Sequence, residues 1–273
     1  MSTAATQTQF LKGGEFIIRD SKSEDVFIPE DFSEEQKMMA SATTEFIDKE
    51  VVPHRERFEK KDYAFTEELM KKAGDLGLLG ITVPEKYNGL DMDFSTSMLV
   101  TDRISGVSGS LSTAYGAHTG IGVLPILLYG NDAQKEKYLP KLVTGEWMGA
   151  YCLTEPGAGS DANSGKTKAE LTADGKRYKI NGQKIWISNA GFADIFTVFA
   201  RIEDDKYLTG FIVERNTEGL SFGEEENKLG IRASSTRQVF FNDLEIPVEN
   251  LLGERNGGFK IAMNALNYGR IKL

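Results

Sequence analysis

Two short segments carry the side chains best suited to chemistry. Residues 151–161 read YCLTEPGAGSD, an apolar, strand-like start running into Pro156, Gly157, Ala158, Gly159 and Ser160. Gly157 and Gly159 permit backbone conformations and close approaches that bulkier residues forbid. Thr154 and Ser160 place hydroxyls at the two ends of the turn. Such a turn suits a large planar cofactor and a phosphate-bearing substrate lying against exposed main chain. Taken alone, it also reads as a plain surface loop. The second segment, residues 183–191, reads QKIWISNAG, again a strand running into a polar turn. Residues i and i+2 of a strand share a face, so Trp186 and Ser188 are expected to address one ligand together. An indole against a flat heterocycle, with a hydroxyl at its edge, makes a flavin platform. The alternative for Trp186 is a core tryptophan, which is the reading for Trp147.

The chain resembles the acyl-CoA dehydrogenases over nearly its whole length, from about Phe32 onward. Residues 153–161 (LTEPGAGSD), 181–189 (NGQKIWISN) and 228–247 (KLGIRASSTRQVFFNDLEIP) are similar to consecutive signatures of that family. Residues 116–142 resemble the end of its N-terminal helical domain. The leader FLKGG, residues 10–14, and the late NYGR, residues 267–270, look more like the very-long-chain branch than the medium-chain one.

The resemblance implies an FAD enzyme that dehydrogenates a fatty acyl-CoA thioester between its α and β carbons. A carboxylate removes the α proton while the β hydrogen leaves as hydride to the flavin. The thioester carbonyl must meanwhile be hydrogen-bonded to stabilise developing negative charge. By the same likeness, Tyr151, Cys152, Leu153, Thr154, Gly159 and Ser160 follow the flavin ring and ribityl chain, with Thr154 as a hydroxyl contact. Trp186, Ile187 and Ser188 form the second flavin wall. Ser160 also resembles a contact for the pantetheine or nucleotide part of coenzyme A, and Asn267 and Arg270 the pair that meets acyl-CoA.

No catalytic residue is assigned. The family's base is a glutamate in a Glu-Gly-Thr context of the C-terminal domain, expected beyond Leu273. Glu218–Gly219 reads as a surface turn, and Glu155 as structural. An electron-transfer flavoprotein is the implied partner, and a homo-oligomer the implied assembly. An acyl-CoA oxidase, a nitroalkane-oxidase-like flavoenzyme, or a non-catalytic flavin- or acyl-CoA-binding fragment are the alternatives.

Composition bounds these readings. The chain has 273 residues, 40% hydrophobic and 27% charged, enough for two cores. A net charge of -9 argues against a nucleic-acid binder, which needs a basic face. Phosphate recognition must then be local, through single Arg, Lys, hydroxyl and backbone N–H groups. Cys152 is the sole cysteine, which rules out an intramolecular disulfide, fits a reducing compartment and leads us to expect a cytoplasmic protein. His54 and His118 lack metal spacing; His54 reads as helix-surface and His118 as partly buried. The N-terminus lacks the basic and apolar regions of a secretory signal. The longest apolar run, residues 121–129, falls short of the ~18 residues a membrane span needs, so no transmembrane segment is expected.

The elements that must position these residues read as an α+β chain. An arm (1–31) precedes an all-α domain (32–145). A β-barrel or β-sandwich domain (146–252) follows, and then the start of a C-terminal helix (253–273). Ser33 with Gln36 predicts a capped helix to about Val52. Further helices are expected from Thr66 to Gly77, over 95–107, over 112–129, and from a cap at Asp132 to about Leu142. After Gly145, short Val-, Ile- and Phe-rich segments alternate with turns. Asp174–Gly175 and Asn181–Gly182 are the strongest turn signals.

Overall fold

The computed structural model describes residues 11–272. Phe10 of the leader, the first ten residues of the arm, and Leu273 lie outside them. A short helix α1 (Glu15–Ile18) and two 3-10 turns lead to α2 (Glu34–Phe46). The expected capping box starts α2. Ser33 Oγ accepts the Gln36 amide at 3.2 Å, and Gln36 Oε1 accepts the Ser33 amide at 2.9 Å. The helix then widens into a π turn, Ile47–Val51, and Pro53 sits in the 3-10 turn that follows.

Next come α3 (Arg55–Glu59) and α4 (Tyr63–Asp75). The latter begins three residues before Thr66, because the Asp62 carboxylate caps the Phe65 amide at 3.0 Å. Helices α5 (Phe94–Ser105), α6 (Gly109–Gly116) and α7 (Leu124–Tyr129) follow, with a π turn, Ala117–Gly122, between the last two. Helix α8 (Asp132–Thr144) is capped by Asn131, not Asp132. The Asn131 backbone is extended and its side chain accepts the Gln134 amide at 2.8 Å, so Asp132 already belongs to the first turn. The last helix, α9, is Gly258–Lys272.

Among the described residues, eight strands form one mixed sheet: β1 (Gly149–Cys152), β2 (Lys168–Leu171), β3 (Arg177–Ser188), β4 (Ile195–Ile202), β5 (Thr209–Glu214), β6 (Leu220–Glu225), β7 (Thr236–Pro247) and β8 (Leu251–Leu252). The hydrogen-bonded order is β6-β7-β3-β2-β4-β5-β8, with β1 also on β4. One edge of β4 serves two parallel partners in succession. Its residues 195–198 pair with β1, and Arg201 and Ile202 with β2. The chain between β1 and β2 therefore leaves the sheet where these two pairings part, carrying the 153–161 turn with it.

Asn181–Gly182 is not a turn. It is a bulge inside the continuous strand β3, where the ladder slips between Ile180 and Gly182. Gly182 has φ 148, and a Cβ there would lie 2.6 Å from Thr167 Oγ1, so glycine is required by space as well as by conformation. Asp174–Gly175 does turn the chain between β2 and β3, with Gly175 at φ 68.

Three apolar clusters result among the described residues. One fills the helical layer around Leu69, Val100 and Tyr115, and one lies inside the β layer around Phe196 and Phe211. The third joins the layers through Ile126, Leu142, Phe199 and Ile261. Helix and strand come close where Gly122 meets Gly149; a Cβ on Gly149 would fall 2.9 Å from Gly122 Cα. The stretch Gly109–Tyr129 has the length and apolarity to cross a bilayer. Its most apolar window is 67% buried inside the protein, where it serves as a core helix.

His118 is fully buried, where partial burial was expected. It lies in the π turn and joins both layers. Its Nε2 is 2.9 Å from the Leu142 carbonyl, and its Nδ1 accepts the Gly149 amide at 3.0 Å. His54 is exposed, its ring edge-on to Phe65. Trp147 packs at the margin of the joining core against Tyr138 and Lys141.

Candidate functional site

Strand β1 ends at Cys152 and the chain bends at once. Glu155 and Ala158 exchange two backbone hydrogen bonds of 3.1 Å, which pinch residues 155–158 into a tight loop. The positions a Cβ would take on Gly157 and Gly159 face open space, so the main chain there is bare on one side. Strand β3 runs beside this loop, and the Ile185 amide donates to the Thr154 carbonyl at 2.9 Å.

Immediately afterwards β3 bulges between Lys184 and Ile187, with Trp186 at φ 60. A positive φ on a bulky residue is strained and is held only by surrounding structure. Its effect is to turn the indole outward, leaving Trp186 58% exposed on the cleft wall. Strand alternation is therefore not what brings Trp186 and Ser188 together. The bulge does so, and Ile187 between them lines the cleft as well.

The cleft has a volume of about 350 Å³, within the roughly 300–1,000 Å³ of small-molecule sites. Tyr151, Leu153, Thr154, Gly159, Ser160, Trp186, Ile187, Ser188 and Arg270 meet there. Apolar Ile121 from the π turn, and Met263 and Leu266 from α9, close it; none of these three was singled out from the sequence. Roomier hollows of about 510 Å³ near Phe32 and about 420 Å³ beside Tyr129 exist. Neither combines an exposed indole, several hydroxyls and a cation. Size therefore does not select the site; the side-chain chemistry does.

Two sequence-derived candidates stand outside the cleft lining. The Cys152 side chain is buried in the β core, where burial pushes its thiol up to about 12. Asn267 is exposed on α9, and its Oδ1 accepts Arg270 Nη1 at 2.7 Å, so it steadies the guanidinium. Glu218 lies in an exposed turn between β5 and β6, away from the cleft.

Within the cleft the hydroxyls of Thr154, Ser160 and Ser188 have no hydrogen-bond partner among the described residues, while Tyr151 donates to the Ala262 carbonyl at 3.1 Å. Burial raises the Tyr151 phenol far above its ordinary range, which keeps it a neutral donor that pins β1 to α9. The cleft thus presents an indole face, hydroxyls at its rim, bare main chain and one guanidinium. That set fits a flat hydrogen-bonding heterocycle and an anionic or carbonyl-bearing partner.

Beneath the cleft lies a buried ion pair that no local sequence pattern announces. Lys184 Nζ sits 2.7 Å from Glu155 Oε1, with side-chain exposures of 0% and 7%. Burial opposes ionisation of Glu155. The Lys184 charge and hydrogen bonds from Lys184, Thr167 and Lys166 outweigh it and hold the carboxyl below its usual range. Burial also draws Lys184 down from the ordinary lysine range. The ammonium nevertheless faces a carboxylate and two carbonyls, so the pair is ionised.

Residues 33–146 match the acyl-CoA dehydrogenase N-terminal domain, and residues 150–244 the acyl-CoA dehydrogenase middle domain. A probable acyl-CoA dehydrogenase of Bacillus subtilis is 49% identical over 262 residues, covering 96% of this chain and 44% of that protein. The very long-chain specific acyl-CoA dehydrogenase of Bos taurus is 41% identical over 243 residues, covering 83% of this chain and 37% of that one. The crystal structure of an acyl-CoA dehydrogenase from Bacillus anthracis complexed with FAD superposes with a TM-score of 0.91 at 49% identity. It covers 96% of this chain and 45% of that one. The chain spans about half the length of the curated relatives it matches. Two consecutive domain matches and the shared helix-then-sheet architecture lead to one conclusion: this chain belongs to the acyl-CoA dehydrogenase family.

Proposed function

We propose that the chain contributes the flavin-facing walls of an FAD-dependent dehydrogenase that converts a fatty acyl-CoA thioester to the trans-2-enoyl-CoA in β-oxidation. Electrons would then pass to an electron-transfer flavoprotein. The observation that carries this reading is the convergence of Thr154, Ser160, Trp186, Ser188 and Arg270 on one cleft, with three hydroxyls that lack a hydrogen-bond partner among the described residues. When bound there, FAD would supply the acceptor for the β hydrogen.

The chain's own residues do the holding. The Trp186 indole covers one face of a flat ring. Thr154 and Ser188 offer hydroxyl hydrogens at its edge. The bare main chain at Gly157 and Gly159 lets a ligand approach the backbone closely. Arg270, steadied by Asn267, meets the acyl-CoA, and Ser160 a more distal part of coenzyme A. Ile121, Met263 and Leu266 exclude water from that side.

Among the described residues lining the cleft there is no carboxylate and no histidine. The α proton therefore needs an acceptor these residues do not include. We assign that role to a glutamate in the part of the relatives' length that this chain does not span.

Two measurements test the proposal. The apoprotein is titrated with FAD, and saturable binding with a perturbed flavin absorbance is expected. The full-length enzyme is then mixed anaerobically with long-chain acyl-CoA, which should bleach its flavin. An enzyme whose flavin stays oxidised with every acyl chain length refutes the activity. Rapid reoxidation by air would assign it to the oxidases instead.

A further inference from the structure

We propose that the Glu155–Lys184 pair is a positioning device for the cleft, fixing the spacing between the Thr154 turn and the Trp186 strand. This rests on the flavin reading above and deepens it. Neither side chain lines the cleft, so any effect on a ligand must pass through the residues the pair holds.

The geometry is specific to that task. A lysine ammonium has three N–H donors, and all three are engaged. They reach the Leu153 carbonyl at 3.2 Å, Glu155 Oε1 at 2.7 Å and the Phe199 carbonyl at 2.6 Å. Leu153 and Glu155 flank Thr154, Phe199 lies on β4, and Lys184 itself is two residues before Trp186. One cation therefore ties the chain on both sides of Thr154 to β3 and to β4. The Ile185–Thr154 backbone bond lies beside it.

Glu155 extends the tie. Its carboxylate also accepts the amides of Lys166 at 2.6 Å and Thr167 at 3.1 Å. These contacts clamp the far end of the loop that carries Gly159 and Ser160. The carboxylate thus closes the loop and the ammonium joins the closed loop to the wall opposite.

Stability alone does not require a charged pair here. Burying two ions costs desolvation, and apolar or neutral side chains of similar volume often stabilise a core equally well. What such a pair adds is direction. Each of its hydrogen bonds fixes a particular atom, and a ligand site needs its walls held to within about 0.5 Å.

The test uses the whole chain and replaces both charges at once, Glu155→Gln with Lys184→Met, so that no lone buried ion remains. Far-ultraviolet circular dichroism should show a folded protein with a cooperative melt. FAD affinity, read by flavin fluorescence, should fall about tenfold or more, and the visible flavin band should lose its wild-type shape. A folded double variant that binds FAD with wild-type affinity and an unchanged flavin spectrum overturns the positioning role while leaving the flavin reading intact. A wild-type chain that does not bind FAD at all overturns both. Should the double variant fail to fold, the neutral pair Glu155→Gln with Lys184→Gln carries the same comparison, because it also leaves no lone buried ion and keeps a hydrogen-bond donor at position 184.

Discussion

Lowering the pH from 7 to 5 should weaken the fold through His118, and the loss can be worked from its surroundings. The Gly149 amide donates to Nδ1, so that nitrogen carries no hydrogen, and Nε2–H donates to the Leu142 carbonyl. A second proton would have to sit against the Gly149 N–H in a site with no exposure. Burial first, and the Lys272 charge with it, push the ring from 6.5 down to about 4 against the pull of the Leu142 carbonyl. The unfolded chain therefore binds the proton more readily than the folded one, and stability rises with pH between those values. The contribution is complete above about pH 6.5 and is lost as pH falls towards about 4. At about 1.4 kcal/mol per pH unit of difference, the loss between pH 7 and pH 5 comes to about 2 kcal/mol. Urea unfolding at the two pH values measures it. The control is His118→Gln, which removes the titrating ring. Every other group titrates in both proteins, so the difference between their pH slopes isolates the histidine. Equal slopes for the two proteins over this range would refute the assignment of a buried, neutral His118.

Three further outcomes are expected. Asn131→Ala should cost about 1 kcal/mol by removing the α8 cap, whereas Asp132→Ala should cost less; a reversed order in thermal melts would restore Asp132 as the cap. Cys152 should ignore thiol reagents in the native protein and react only as fast as the chain opens, since burial both hides the thiol and raises it to about 12; fast stoichiometric labelling would contradict this. Trp186→Ala should change folding stability by no more than about 0.5 kcal/mol, because the indole is 58% exposed, yet weaken FAD binding in a fluorescence titration; a large melting loss with intact FAD affinity would make it a core residue after all.

Most of the architecture was legible because its signals are local. The Ser33–Gln36 box, the Asp174–Gly175 turn and the change of period after Gly145 each need only a few neighbouring residues. The two candidate segments, residues 151–161 and 183–191, were legible for the same reason, and the structure brings them to one cleft. The rest depends on residues distant in sequence. Asn181–Gly182 carries a turn composition, but its partner β7 continues past it and makes it a bulge. Trp186 and Ser188 share a cleft through an irregularity that no alternation rule foresees. Lys184 is a charged residue in the middle of a strand, and only the fold, by bringing Glu155 beneath it across 29 positions, makes burial tolerable. His118 stood in a helix that reads apolar on most faces, yet the groups that complete it, Leu142 and Gly149, come from other elements.

The widened turn at Ala117–Gly122 acts through its length rather than its composition. A π turn accommodates one residue more than the α-helical turn it replaces. Before it, Leu111, Ala114 and Tyr115 face the helical cluster. After it, Val123 and Ile126 face the joining core, while Ile121, inside the turn, reaches the cleft. The surplus residue rotates the downstream half about the axis, so a single rod is shared between two interiors. Shortening this segment by one residue would restore even pitch, at roughly 100° per residue, and swing Ile121 away from the cleft. Conservative exchanges within the segment should thus be borne far better than any change in the number of its residues.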